Sequence, residues 1–382
     1  MSQPSPYTPG EVALDVPGRG PELGFYRERA QFIGTLGGFA GRVVAYHAPR
    51  GLGKTSLLRG AQREFQAARI RTVWVTANEH ENLLTTLLAE MTQLLPRASR
   101  TRKSVTEAAE SVTAAFGVPG ANVKATFKVA APPAGAKVFG AAVLATVAEL
   151  HNQGERGLVF LLDEMQAADR PSLKAVSYAW QELQAPDARP AAGFFAVGLP
   201  GSQEHVNKAA TSNERWDFRE LPDLEDGGAA AALAEPARQL GVDWEHSALA
   251  RAVAEAQRYP YKVQLIGDAV WSAAGYPSAG MTLKEVHLDV ALVDVARQMR
   301  SLHASRWRAA SRQQKDALFA IARLGGTKVR REEVANLLGT TSRGLSTVRD
   351  RLLRAGTIMA SDHGLISFTV PGFTEYVLAL GE

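Results

Sequence analysis

The sequence predicts an α/β protein in which a parallel sheet is covered by helices on both faces. Short apolar runs alternate with amphipathic helical segments through the first part of the chain, and the runs are RVVAYH, RTVWVTA, GLVFLL and AAGFFAVGL. Because these runs are apolar throughout, the strands are expected to be buried on both faces, as strands of parallel sheets are. After Leu221 the strand-like runs stop and helical patterns follow.

The composition is typical of a soluble globular protein with two or three domains. The chain has 382 residues, of which 46% are hydrophobic and 21% are charged. It has no cysteine, which excludes disulfide bonds and cysteine-ligated zinc or iron–sulfur sites. The sequence indicates no signal peptide, and no uncharged apolar run approaches the length of about 18 residues that a membrane span needs. We therefore expect a cytoplasmic protein.

Changes in pattern divide the chain into four regions. Residues 1–20 are rich in proline and glycine and are expected to form a flexible N-terminal arm. Residues 21–222 form the α/β core, residues 223–306 a helical region with a connecting helix, and residues 307–382 a C-terminal unit of three helices and two short strands. The core carries an insertion at about 97–136, in which ANVKATFKVA alternates as a β-hairpin does.

A glycine-rich segment stands between the first strand and the first amphipathic helix. It reads APRGLGKT and follows the Walker A pattern [AG]-x-x-x-x-G-K-[ST], with alanine in the first position. Glycines let backbone N–H groups turn toward a phosphate, and the helix N-terminus adds its dipole. The segment therefore predicts a phosphate loop for ATP or ADP. Its expected nucleotide-binding residues are Ala48, Pro49, Arg50, Gly51, Leu52, Gly53, Lys54, Thr55 and Ser56.

Two carboxylates follow the apolar run GLVFLL. A phosphate loop needs a carboxylate near Mg²⁺ and a group that activates the attacking water. Asp163 and Thr55 are therefore expected to hold Mg²⁺, and Glu164 is expected to be the catalytic base, with Lys54 also catalytic. The glutamate favours ATP hydrolysis over nucleotide binding alone.

These motifs resemble those of AAA+ ATPases, in particular the origin-recognition and STAND-like branch with a C-terminal winged helix. The resemblance extends from about Phe25 to the end of the chain. Besides the phosphate loop and LVFLLDEMQ, it rests on FYRERAQF, AVGLPGS, NERWDFRELPDL, RYPYKVQLIGDAVW and ISFTVPGFTEYV. It implies a P-loop AAA+ core over residues 21–222, an all-α lid over residues 223–306 and a winged helix over residues 307–382.

The resemblance also implies roles for three arginines of the core. Arg27 would lie near the adenine, although Tyr26 stands where the family often has glycine. Arg215 falls where such proteins carry an arginine finger that reaches the γ-phosphate of a neighbouring subunit, which implies self-association. Arg219 is the alternative finger, and a surface ion pair is the alternative role for Arg215.

The sensor residues of the family are poorly matched. Lys262 or Arg258 would replace the usual sensor 2 arginine beside the nucleotide, and no clear sensor 1 follows AVGLPGS, where Ser202 and Gln203 are weak substitutes. By this resemblance, turnover is expected to be slow.

The C-terminal region has an excess of positive charge. From Arg300 onward there are 13 Lys and Arg residues against 7 Asp and Glu residues, a net charge of +6 within a chain of net charge +4. A helix-turn-helix with its third helix at 342–354 places several of these side chains where a major groove could be read. The expected DNA-binding residues are Arg343, Ser346, Arg349, Arg330 and Arg331.

Three functions are consistent with these features. The favoured one is a slow ATPase that uses ATP-dependent assembly or lid closure to control duplex DNA binding. One alternative is a STAND-type signalling switch whose winged helix docks protein. The other is the ATPase subunit of a DNA-mobility or phage-defence system.

Overall fold

The computed structural model describes residues 2–13, 16–116, 133–210, 213–361 and 364–381. The predicted hairpin at 121–130 lies outside these residues. The chain forms two compact units. The sheet unit comprises Pro21–His47 and Leu57–Glu220, and the helical unit comprises Met1–Gly20, Ala48–Ser56 and Leu221–Glu382.

The sheet unit contains a five-stranded parallel sheet in the order β2-β3-β4-β1-β5. The strands are β1 (Val43–His47), β2 (Ile70–Thr76), β3 (Gly157–Asp163), β4 (Ala192–Gly198) and β5 (Trp216–Glu220). Every residue of β3 and β4 is buried. The prediction of a parallel sheet covered on both faces is confirmed.

Helices surround this sheet. They are α1 (Gly20–Leu36), α2 (Lys54–Ala67), α3 (Leu83–Gln93), α4 (Arg100–Phe116), α5 (Pro133–Asn152), α6 (Arg170–Glu182) and α7 (Ser202–Ala209). Asp169 fixes two of the helix starts, because its carboxylate accepts the N–H of Ser172 in α6 (2.9 Å) and the N–H of Leu83 in α3 (2.9 Å). Within the predicted insertion at about 97–136, most of the described residues before the gap form the helix α4 rather than extended chain.

The helical unit begins after β5 with four helices. They are α8 (Asp226–Gln239), α9 (His246–Ala256), α10 (Pro260–Ala273) and α11 (Glu285–Ala309). Two strands of two residues each, β6 (Asp243–Trp244) and β7 (Thr282–Leu283), pair in parallel between these helices. The sequence predicted no strand here, because two residues are too few to produce an alternating pattern.

The C-terminal part of the helical unit combines short helices with a small antiparallel sheet of order β8-β10-β9. Its elements are α12 (Arg312–Arg323), β8 (Val329–Arg330), α13 (Arg331–Leu337), α14 (Ser346–Arg354), β9 (Ile358–Ser361), β10 (Leu365–Phe368) and α15 (Phe373–Ala379). We call residues 312–379 the C-terminal module. Its buried core includes Leu318, Ile321, Val334, Leu352, Ile358 and Phe373.

The C-terminal module differs from the sequence prediction in two ways. Its sheet has a third strand, β8, and α14 begins at Ser346 rather than at Ser342. The later start has a local cause: the hydroxyl of Thr341 accepts the N–H of Gly344 (3.1 Å), which holds the preceding residues in a turn.

The N-terminal segment packs within the helical unit, although its composition predicted a flexible arm. Tyr7 is 2% exposed, donates a hydrogen bond to the carbonyl of Leu233 and meets the Trp271 ring edge-to-face at 6.2 Å. The indole N–H of Trp244 donates to the Tyr7 hydroxyl (3.2 Å). Proline and glycine predict irregular backbone, and this segment is irregular, but the buried Tyr7 side chain and its hydrogen bonds anchor it. Among the described helices, none is long and apolar enough to cross a membrane.

We predict that Tyr7→Ala lowers the free energy of unfolding by about 3 kcal/mol, because it deletes a buried aromatic ring and leaves a cavity. Urea unfolding followed by tryptophan fluorescence measures the change. Tyr276→Ala is the control, since Tyr276 is 49% exposed. Equal unfolding midpoints for the two variants would show that the N-terminal segment is not anchored by Tyr7.

Candidate functional site

The predicted phosphate loop has the backbone that its glycines suggest. The chain leaves β1 at His47 and enters α2 at Lys54. Between them, Gly51 and Gly53 have φ angles of +87° and +80°, in the left-handed region that glycine adopts without strain. A loop of this shape turns successive N–H groups toward one side and forms an anion-binding nest.

Four consecutive carbonyl groups of this loop accept hydrogen bonds from within the helical unit. The donors are Lys54 Nζ to Pro49 (2.8 Å), the Tyr259 hydroxyl to Arg50 (3.0 Å), the Tyr261 N–H to Gly51 (3.1 Å) and the Arg19 guanidinium to Leu52 (3.1 Å). We call these four interactions the carbonyl clamp. Because a peptide group carries its N–H opposite its carbonyl, these bonds also fix the directions of the N–H groups of the loop.

The opposite side of the loop fits a phosphate group. Among the residues that the structure describes, the N–H groups of Gly51 and Gly53 meet no hydrogen-bond acceptor. A Cβ atom added to Gly53 would meet no atom within 4 Å, so there is open space beside it. Lys54 is 7% exposed and begins α2, where the helix dipole favours an anion. This donor set suits a phosphate anion.

The other predicted loop residues are placed as follows. Ala48 and Leu52 are buried, and Arg50 is exposed. Ser56 is buried, and its hydroxyl accepts the N–H of Ala13 (3.1 Å). The N-terminal segment thus reaches the loop twice, through Ala13 and through Arg19. The sequence contained no signal for either contact.

Tyr259 reaches the loop from a strained turn in the helical unit. The two residues before it, Gln257 and Arg258, have φ angles of +52° and +60°, which non-glycine residues rarely adopt. The carbonyl of Arg258 is held by the N–H of Leu224 (3.1 Å). Tyr259 is 3% exposed, and burial raises the pKa of its hydroxyl to about 12, so the hydroxyl stays protonated as a donor at neutral pH.

Asp163 and Glu164 lie in the sheet unit at the end of β3. Asp163 is 4% exposed, and its Oδ1 accepts the N–H of Glu164 (2.8 Å). Glu164 has left-handed dihedrals, with φ 52° and ψ 39°. Strained backbone of this kind is found where function requires a particular side-chain direction.

Gln166 connects Glu164 to the end of the neighbouring strand β4. Its amide nitrogen donates to a carboxylate oxygen of Glu164, and its amide oxygen accepts the N–H of Leu199 (2.9 Å). Ser202, one of the weak sensor 1 candidates, is fully buried, and its hydroxyl has no hydrogen-bond partner among the described residues. No sequence pattern indicated this role of Gln166, because a glutamine two positions after a glutamate is not a motif by itself.

Two of the predicted arginines are engaged within the sheet unit. Arg27 forms a two-pronged pair with Glu64 (2.7 and 3.1 Å), and this hydrogen bonding raises the pKa of Arg27. Arg219 pairs with Asp217 (2.7 Å) and stacks on Phe25, with its guanidinium 4.1 Å from the ring centroid. These contacts occupy both guanidinium groups.

Arg215 and the two sensor 2 candidates differ in their surroundings. Arg215 is half-buried in the turn before β5 and has no ion-pair partner among the described residues. In the helical unit, Arg258 pairs with Asp226 on the surface (2.8 Å). Lys262 is half-buried on α10, and burial lowers its pKa, which indicates a charge that is poorly solvated.

Two segments of the chain match known protein families. Residues 16–190 match the AAA ATPase domain family. Both the phosphate loop and the acidic pair of β3 lie within the matched residues, whereas Tyr259 lies outside them. Residues 300–377 match a family described as a domain of unknown function (DUF8462).

Solved structures share the fold of the whole chain. A Walker-type ATPase of Pyrococcus abyssi aligns with a TM-score of 0.58 and 15% identity, covering 98% of each chain. The ORC2 protein of Aeropyrum pernix, in ADPNP–ADP complexes, aligns with a TM-score of 0.56 and 16% identity, covering 98% of this chain and 95% of that one. At these identities the likeness concerns the fold. None of the curated proteins matches this chain.

We predict that Gly51→Ala destabilises the protein by about 1–3 kcal/mol more than Gly53→Ala does. Both substitutions force alanine into a left-handed conformation, so the strain of the backbone is matched. Only at Gly51 would the new methyl group overlap the Tyr259 hydroxyl. Urea unfolding of the two variants measures the difference. Equal loss of stability would mean that Tyr259 does not pack on the loop.

Proposed function

We propose that the chain binds MgATP at the phosphate loop and hydrolyses it slowly. The observation that carries this proposal is the loop itself: four consecutive carbonyls are hydrogen-bonded, and the N–H groups of Gly51 and Gly53 meet no acceptor among the described residues. Supporting it, β1 and β3 are parallel strands of one sheet, so His47 and Asp163 end their strands at the same edge of that sheet.

In this proposal each polar residue has a distinct task. Lys54 and the N-terminus of α2 bind the β- and γ-phosphates of ATP. Thr55 and Asp163 would hold Mg²⁺, which when bound neutralises phosphate charge. Glu164 accepts a proton from the attacking water, and phosphate and ADP are released. Gln166 keeps the Glu164 carboxylate in one direction, which matters because a general base acts only within hydrogen-bond reach of its proton.

Self-association is part of the proposal. Arg215 is the better candidate for a finger that reaches a neighbouring copy, because Arg219 is already paired with Asp217 and stacked on Phe25. An arginine supplied from a second subunit stabilises negative charge that develops on the transferred phosphoryl group.

We also propose that the C-terminal module is a winged helix that binds duplex DNA under the control of ATP. Supporting this are the short helices beside an antiparallel sheet and the net charge of +6 from Arg300 onward. Arg330 and Arg343 are exposed and Arg331 is half-buried. Arg349 is paired with Asp350 (3.3 Å), and the hydroxyl of Ser346 donates to the carbonyl of Ser342 (3.2 Å). The two exposed arginines are therefore the better phosphate contacts.

A second candidate function is a nucleotide-dependent switch whose C-terminal module docks protein. One observation favours it: Arg306 of α11 donates to the carbonyl of Gly356 (3.0 Å) and the hydroxyl of Thr369 (2.8 Å), so the module is held by the preceding helix. A module held in this way can be released by nucleotide without contacting DNA.

We expect Lys54→Ala to weaken ATP binding by about 100-fold, because it removes a charge-assisted contact to phosphate. Glu164→Gln is expected to keep ATP affinity while lowering the hydrolysis rate by about 100-fold or more, because the base is lost. Isothermal calorimetry and steady-state phosphate release measure the two effects. Glu182→Gln, on the exposed end of α6, is the control. Unchanged affinity in Lys54→Ala or unchanged turnover in Glu164→Gln would refute the respective role.

For DNA, we expect the double variant Arg330→Ala/Arg343→Ala to bind with a weaker salt dependence. The negative slope of log affinity against log salt should become less steep by roughly two units, about one for each lost phosphate contact. Fluorescence anisotropy with a labelled duplex at several salt concentrations gives the slope. Lys208→Ala, on α7 of the sheet unit, is the control for loss of surface charge. A slope equal to that of the control would favour the protein-docking switch.

A further inference from the structure

One contact of the carbonyl clamp comes from the side chain of Tyr259. The Tyr259 hydroxyl is the donor to the carbonyl of Arg50 (3.0 Å), whereas the adjacent bond to Gly51 comes from the backbone N–H of Tyr261. Tyr259 belongs to the helical unit beyond the residues that match the AAA ATPase domain family, 209 positions along the chain from Arg50. Removal of one hydroxyl therefore opens the clamp at a defined point.

The direction of the Tyr259 side chain is set by the surrounding backbone. Gln257 and Arg258 both have left-handed φ angles, and the Arg258 carbonyl is tied to Leu224. The Tyr259 N–H is bonded to the carbonyl of Ala256 (3.1 Å), and Pro260 starts α10 directly afterward. Residues on both sides of Tyr259 are thus fixed, so its ring has little freedom to follow the loop if the loop moves.

We propose that Tyr259 is a positioning residue for nucleotide binding, whose hydroxyl holds the phosphate loop in the conformation that binds phosphate. This inference rests on the proposed nucleotide site. A phosphate bound to the N–H groups of the loop strengthens the polarisation of the same peptide groups whose carbonyls the clamp holds. The clamp and the phosphate thus favour one loop conformation together.

The test is ADP binding, measured by calorimetry on the full chain. Tyr259→Phe keeps the buried ring and deletes only the hydroxyl, so we expect roughly tenfold weaker ADP binding, the effect of leaving one part-buried carbonyl without its donor. The steady-state KM for ATP is expected to rise with it while kcat stays nearly constant, because Asp163 and Glu164 are untouched. Tyr276→Phe is the matched control, since it loses a hydroxyl from an exposed ring.

The outcomes separate the clamp from the proposed function. Weak binding in Tyr259→Phe with normal binding in Tyr276→Phe supports the clamp. Normal ADP binding by Tyr259→Phe, in a wild type that loses affinity on Lys54→Ala, overturns the clamp and leaves the nucleotide site in place. A wild type that binds neither ADP nor ATP would instead remove the proposed function.

Discussion

The candidate site depends on where the carbonyl groups of residues 49–52 point. A peptide group carries its donor and acceptor on opposite sides, so a loop can present N–H groups to an anion only if the matching carbonyls are satisfied elsewhere. Here every one of the four is bound, by Lys54, Tyr259, Tyr261 and Arg19. Glycine makes this conformation accessible, but the donors from distant parts of the helical unit select it.

Positively charged side chains also favour the binding of an anion. Lys54 is buried at the start of α2 and has a neutral carbonyl as a partner. On α10 and α11, burial lowers the pKa of Lys262 and of Arg306, which means that both cations are poorly solvated. A phosphate would bring negative charge close to such cations. Electrostatics and backbone geometry thus favour the same class of ligand.

Features carried by local signals could be predicted from the sequence, and features created by distant contacts could not. The five strands, the glycine conformations of the loop and the acidic end of β3 each follow from a few adjacent residues. Tyr259, Arg19 and Tyr7 act through partners that no spacing rule connects to them, since Tyr259 bonds a residue 209 positions away. The start of α14 was predicted wrongly because of a local contact. The Thr341 hydroxyl accepts the N–H of Gly344 and holds these residues in a turn, although their sequence pattern is helical.

Both units contain non-glycine residues in left-handed conformations, Glu164 in the sheet unit and Gln257 with Arg258 in the helical unit. Each costs roughly 1–3 kcal/mol and persists only where neighbouring bonds hold it. At Glu164 the holding bonds come from Asp163 and Gln166, and at Arg258 from Leu224. A bound nucleotide can shift only an equilibrium between states that it binds differently. The turn before Tyr259 is held by the bonds of Leu224 to Arg258 and of Tyr259 to Ala256, so a nucleotide would act on the conformation of the loop rather than on this turn.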